Sequence, residues 1–171
     1  KARAYGYSLA SSVIETFHAG DFKQSPKPSI TVHSAEIELA IENFMLSLGT
    51  LLGVIDSDPK FSLAPPFMRY LSEVAFIQLG DASITGVPGE LYPEIAVGGI
   101  ENPAGADYVI APQEVPHLRS QFPGKLNLMV NLANDSIGYI IPKSEWDEDA
   151  PWIYGENEET YGEVVSLGPN T

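Results

Sequence analysis

Two short segments, far apart in the chain, hold the residues whose types and setting could do chemistry. The first is Val87-Pro88-Gly89-Glu90, which follows the apolar run Ala82–Val87 and precedes a helix-like stretch. A strand, a tight glycine turn and an acid present a carboxylate as a catalytic group or a ligand. The glycine removes side-chain bulk, so another group can approach the backbone closely. A helix following directly would place Glu90 at its N-terminus, where the macrodipole favours the ionised form. An acid in a first helical turn needs no further role, so the same spacing also suits a structural residue. The second segment is Asn131 to Pro142, in which Gly138-Tyr139 sets a phenol oxygen at the edge of a strand-like run. A strand tyrosine also serves as a half-buried ring with a bonded hydroxyl. Asn131, Asn134 and Asp135 are residues that shape turns and cap backbone groups.

Other catalytic arrangements are missing. His18, His33 and His117 show no HExxH-like spacing, and no serine sits in a Gly-x-Ser-x-Gly elbow. There is no phosphate-binding glycine loop. With no cysteine, disulfides, thiolate nucleophiles and cysteine-based metal sites are excluded, although the compartment is not thereby settled.

These residues must be positioned by surrounding elements. Ala2–Phe17 reads as an amphipathic helix with Tyr5, Leu9, Val13 and Phe17 at four-residue spacing, stopped by Gly20. Lys23–Ser29 carries two prolines and reads as a loop. Ile30–Ile41 alternates and predicts one strand, or two with a break at His33–Ala35. Phe44–Ile55 is apolar but interrupted by Gly49 and Gly53, and its pattern supports no assignment. Asp56–Pro66 reads as a polar connection. Val74–Leu79 and Ala82–Val87 around Gly80-Asp81 predict a β-hairpin. Leu91–Ala96 reads as a short helix that accepts Pro93 in its first turn. Glu101–Gln121 is an irregular excursion, and Leu126–Leu132 and Ile137–Ile141 are strands. Neither a repeat nor a flexible linker interrupts the chain. The fold class expected is α/β or α+β, with layered mixed sheets flanked by helices.

The chain has 171 residues, the length of one domain, and its 44% hydrophobic and 10% aromatic content fits a globular core. No apolar run approaches the ~18 residues of a membrane span. A net charge of −14 opposes nucleic acids and anionic membrane surfaces as partners. Between Glu145 and Glu163 lie Asp147, Glu148, Asp149, Glu156, Glu158 and Glu159 without a Lys or Arg. That stretch reads as a solvated acidic loop, with a calcium site as the sharper alternative. The opening Lys1-Ala2-Arg3-Ala4 lacks an initiator Met and an apolar leader, so a processed or trimmed product is expected.

Four motifs in order resemble the neutral/alkaline ceramidase family: Pro88-Gly89-Glu90, Asn131-Leu132-Ala133-Asn134, Tyr139-Ile140-Ile141-Pro142, and Tyr161-Gly162-Glu163 running to Gly168-Pro169-Asn170-Thr171. Family members carry Pro-Gly-Glu after a strand, then Gly-Leu-Ala-Asn-like and Tyr-Val-Thr-Thr-like strands, then a Tyr-Glu segment ending in Gly-Pro-x-Thr. The resemblance covers roughly the second half of the chain, with the Lys1–Gly20 helix suiting the middle of such a domain. It implies a zinc-dependent amide hydrolase of sphingolipid metabolism, with Glu90 and Tyr139 as zinc ligands and Tyr161 lining the active site. Two further histidine ligands, a serine and an arginine would come from a preceding segment or chain. Residues 1–171 would then be either a single domain or the C-terminal part of a ceramidase-like catalytic domain. The chain departs from the family in Leu91-Tyr92-Pro93-Glu94 after the glutamate and in Ile140-Ile141-Pro142 after the tyrosine. Two rivals remain: a hydrolase of the same scaffold acting on another amide or ester, and a non-catalytic domain in which the Glu90 turn is structural.

Overall fold

The computed structural model describes residues 1–20, 29–55 and 59–171. Its centre is a mixed sheet built around β3 (Met68–Leu79), the longest strand. The edge strand β1 (Ile30–Ala40) pairs antiparallel with β3 from Ile30↔Leu79 to Ala40↔Arg69, with no break at His33–Ala35. A short β2 (Pro59–Phe61) pairs with the other end of β3. The expected hairpin is present: Gly80, at φ 59°, turns β3 into β4 (Ala82–Gly86), with Leu79 opposite Ala82. β4 then pairs in parallel with β6 (Leu126–Val130). A parallel neighbour requires a long crossover. That crossover carries β5 (Glu90–Leu91), α3 (Pro93–Val97) and α4 (Leu118–Gln121). A second, two-stranded parallel ladder joins β5 to β7 (Tyr139–Ile140). The architecture is α/β.

Two buried clusters hold the layers together. Ile41, Ile137 and Leu167 form one, and Val87, Leu91 and Ile95 the other; Ile140 packs against both. Burial of each such side chain contributes about 1.5–3 kcal/mol. Phe44–Leu51, which the pattern left unassigned, forms α2. Its N-terminus is capped by Asn43, whose side chain accepts from the Met45 and Leu46 N–H groups at 3.0 and 3.1 Å. Gly49 fits inside that helix because Ile55 packs onto it, and a Cβ there would sit 3.0 Å from Ile55 Cδ1.

The N-terminal helix α1 (Ala2–Ala19) ends as expected at Gly20, at φ 74°, yet none of its residues is buried. Its stripe of Tyr5, Leu9, Val13 and Phe17 is largely exposed. No helix among the described residues is long and apolar enough to cross a membrane. The loop expected over Lys23–Ser29 lies outside the described residues except for Ser29, as does 56–58 of the expected Asp56–Pro66 connection.

The acidic stretch corrects its sequence reading. Glu148, Asp149, Glu156, Glu158 and Glu159 are exposed, whereas Glu145, Asp147 and Glu163 are buried. Their carboxyls are held inside by hydrogen bonds: Glu145 accepts from Glu101 N–H, Asp147 from Ile153 N–H and Glu163 from the Thr160 hydroxyl, around the almost fully buried Trp146. Among the described residues no three His, Asp or Glu side chains gather closely enough to hold a metal ion.

Candidate functional site

The two chemistry-bearing segments meet. Val87–Glu90 is laced to the 131–138 loop by four backbone hydrogen bonds: Leu132 N–H to Gly89 O, Ala133 N–H to Val87 O, Ile137 N–H to Pro88 O, and Glu90 N–H to Gly138 O. The loop makes this reversal with Leu132 and Asn134 in left-handed backbone, at φ 53° and 70°. The consequence is that Glu90 and Tyr139 are directly opposed on the β5–β7 ladder.

Glycine is required at both turns. A Cβ on Gly89 would lie 2.5 Å from Gly138 O. Gly138 has φ 90°, and a Cβ on it would run into Val165 O. Gly138→Ala is therefore expected to cost at least about 1–3 kcal/mol, from backbone strain alone. For a chain of this length that lowers the melting temperature by roughly 2–10 °C. Thermal unfolding followed by circular dichroism checks it, and an unchanged melting temperature would refute the close approach.

Glu90 is not at a helix N-terminus, contrary to the sequence expectation. It lies in β5, and α3 starts only at Pro93, with Tyr92 extended at φ −61°, ψ 135°. Proline disfavours helical backbone in the residue before it, so Pro93 pushes the helix start past Tyr92. The carboxylate is set by the strand ladder and not by a helix dipole.

Around this pair the aromatic rings form a chain. Tyr92 meets Tyr139 edge-on at 6.1 Å between centroids, and Tyr139 meets Tyr161 edge-on at 6.0 Å. Tyr139 hydrogen-bonds Glu90, and that bond, with burial and the carboxylate charge adding to it, raises its phenol above the ordinary value. Tyr92 is pushed up to about 12 by burial first, then by the charges of Glu163 and Tyr139. Both phenols therefore keep their protons at neutral pH. Tyr161, the third residue singled out from the sequence, is well exposed at the end of this chain.

Glu90 and Tyr161 line a cavity of about 390 Å³ whose remaining wall includes Asp135, Leu46 and Ile55. Asp135 accepts hydrogen bonds from Tyr70 Oη at 3.0 Å, Ser72 Oγ at 2.8 Å and Ser136 N–H at 2.8 Å. It thereby pins the 131–138 loop to β3. The sequence reading gave it a turn-shaping role, which these bonds extend across to the main sheet. Tyr92 was missed altogether, although the strand period of two from Glu90 places it on the same side.

The histidines are not drawn to this cavity. His117 Nδ1 lies 3.2 Å from Ala96 O, His33 lines a different cavity, and His18 ends α1. A carboxylate and a phenol side by side suit half of a four-coordinate zinc site. Among the described residues nothing supplies the other half. No family model, curated protein or solved structure matches this chain.

Proposed function

We propose that this chain is the C-terminal part of the catalytic domain of a zinc-dependent hydrolase of the neutral ceramidase type, cleaving the N-acyl amide of ceramide-like lipids. The observation that supports it best is the direct opposition of Glu90 and Tyr139, with Tyr161 one ring further on. Three residues named from motif resemblance, spread over β5, β7 and the segment near the C-terminus, come together at one site.

In this reading Glu90 and Tyr139 are zinc ligands, and the preceding polypeptide adds two histidines. Bound zinc would supply Lewis acidity and lower the pKa of a coordinated water towards about 7. The chain's own residues do the rest. Glu90 brings the negative charge that offsets the metal. Tyr139 is oriented by its hydrogen bond to Glu90 and by the flanking Tyr92 and Tyr161 rings. Tyr161 borders the entrance, where it contacts whatever approaches Glu90. Leu46 and Ile55 give the cavity an apolar wall against which a hydrocarbon chain can lie.

The test is metal analysis of the intact source protein, together with hydrolysis of a panel of N-acyl lipids, simple amides and esters. About one zinc per site and cleavage of N-acyl sphingoid lipids are expected. Zinc with cleavage of other amides or esters alone would replace the substrate. Zinc-free protein without hydrolysis would leave a non-catalytic domain.

A further inference from the structure

The strand β1 combines three features that a finished sheet edge does not show together. The first is an open backbone. β1 ends the strand order β1-β3-β4-β6, so among the described residues only its inner side is paired over the eleven residues Ile30–Ala40. Such an edge presents a row of free N–H and C=O groups and is normally blunted by lysine, proline or a bulge. β1 contains no Lys, Arg or Pro, and its register with β3 runs without a bulge.

The second feature is an open apolar cleft beside it. His33, Ala35, Ile37 and Leu39, on one face of β1, line this cavity of about 510 Å³, walled opposite by residues such as Leu91 and Ile95. An open, mostly apolar cleft of this size is a place where apolar side chains of a partner can be buried. The third is an uncompensated charge on the other face. Glu36 stands directly opposite Glu73 of β3, a like-charge pair that weakens a sheet. The neighbouring Glu38 has Lys60 at 3.5 Å and Arg69 at 3.4 Å. Among the described residues no cation pairs with Glu36 or Glu73. On that same face Ile30 and Val32 are 70% and 62% exposed.

We propose that the open edge of β1 takes an extended strand of the polypeptide that completes the zinc site. This rests on the zinc reading for the identity of that polypeptide. Strand periodicity supplies the complementarity. One face of the added strand carries apolar side chains that close the cavity beside His33–Leu39. The other carries a lysine or arginine at Glu36 and aliphatic side chains beside Ile30 and Val32. Main-chain hydrogen bonds provide the attachment and these alternate side chains the choice of partner.

The probe is a nine-residue peptide alternating valine and lysine, added to Lys1–Thr171 while amide hydrogen exchange is followed by NMR. Alternate amides of β1, those facing the open edge, are expected to slow at least tenfold. An N-methylated version keeps the side chains and charge but loses donors, and is expected to give no slowing. A valine–glutamate peptide should bind at least tenfold more weakly, a preference that Glu36→Gln reduces. No slowing, equal slowing by the N-methylated peptide, or protection of the same amides by dimerisation of the chain would each overturn the proposal. In the intact source protein those amides should be slow before any peptide is added, and should stay slow in Glu90→Gln. If they exchange fast in a protein that holds zinc, the docking edge falls while the zinc reading stands. If they are slow in a zinc-free intact protein, the strand addition holds and the zinc reading falls.

Discussion

Glu90→Gln in the intact protein is expected to remove zinc and hydrolysis together while leaving the fold in place. Glutamine keeps the shape of the side chain and loses the charge that a zinc ligand supplies. Even residues that only orient ligands change metal affinity by about 10–100-fold, so loss of a ligand should exceed that range. The backbone position is secure, because Glu90 N–H is held by Gly138 O at 2.8 Å whatever the side chain. Tyr139→Phe is expected to act in the same direction, since it deletes only the phenol oxygen and keeps the edge-on contacts with Tyr92 and Tyr161. Zinc content, activity and melting temperature measured on the same samples separate the cases. Undiminished zinc in both variants would end the ligand assignment. It would leave Glu90 and Tyr139 as a hydrogen-bonded pair that ties β5 to β7.

Asp147→Asn is expected to stabilise the protein at alkaline pH and to have little effect in acid. Asp147 is fully buried, and one carboxylate oxygen accepts from Ile153 N–H at 3.1 Å while the other has no partner. Burial raises its carboxyl above the usual range, the Ile153 bond offsets part of that, and Asp107 adds to the rise. Glu163, nearly as buried, is raised for the same first reason, with Asp147 adding charge repulsion and Thr160 donating to it in compensation. The unfolded chain releases these protons at ordinary values, 3.8 for Asp and 4.5 for Glu. The folded chain holds them to higher pH, so it binds more protons than the unfolded chain across that window. Stability is then full below the ordinary values and falls as pH rises through the raised ones. Asparagine keeps the acceptor for Ile153 and removes the ionisation. Its advantage above the window is the cost of ionising the buried carboxyl, about 1.4 kcal/mol for every pH unit over which the folded protein holds that proton beyond the unfolded chain. In a chain of this length each such unit corresponds to roughly 3–6 °C. Melting temperatures of both proteins from pH 4 to pH 9 give the result directly. Parallel curves would show that Asp147 titrates normally.

Much of the local structure was legible. The β3–β4 hairpin follows from Gly80-Asp81 between alternating strands, and α1 follows from its four-residue spacing and Gly20, because turns and helix ends are decided by the backbone freedom of a few residues. The α2 helix was not legible, because Gly49 lowers intrinsic propensity; its start is set by the Asn43 cap, and Ile55 packs against Gly49 inside it. The acidic stretch misled for a related reason: charge predicts exposure, whereas Glu145 and Asp147 are held inside by the Glu101 and Ile153 N–H groups, partners that charge along the chain does not reveal. Glu90 shows the same limit at the site. Pro93 was read correctly as the first turn of a helix, but its restriction of Tyr92 left Glu90 to the strand.

The sequence by itself narrowed the fold to α/β or α+β and pointed to a close backbone approach at Gly89, because these depend on residue type and on spacing along the chain; the candidates Glu90, Tyr139 and Tyr161 came from the order of the resembling motifs. Only the tertiary structure decided that Glu90 faces Tyr139, that Tyr161 completes their ring chain, and that Asp135 ties the loop to β3. Parallel pairing between strands some fifty residues apart leaves no periodic trace in either strand. It depends on which backbone donors and acceptors remain free after the local elements have formed, and in this chain those of Val87–Glu90 are satisfied by the 131–138 loop.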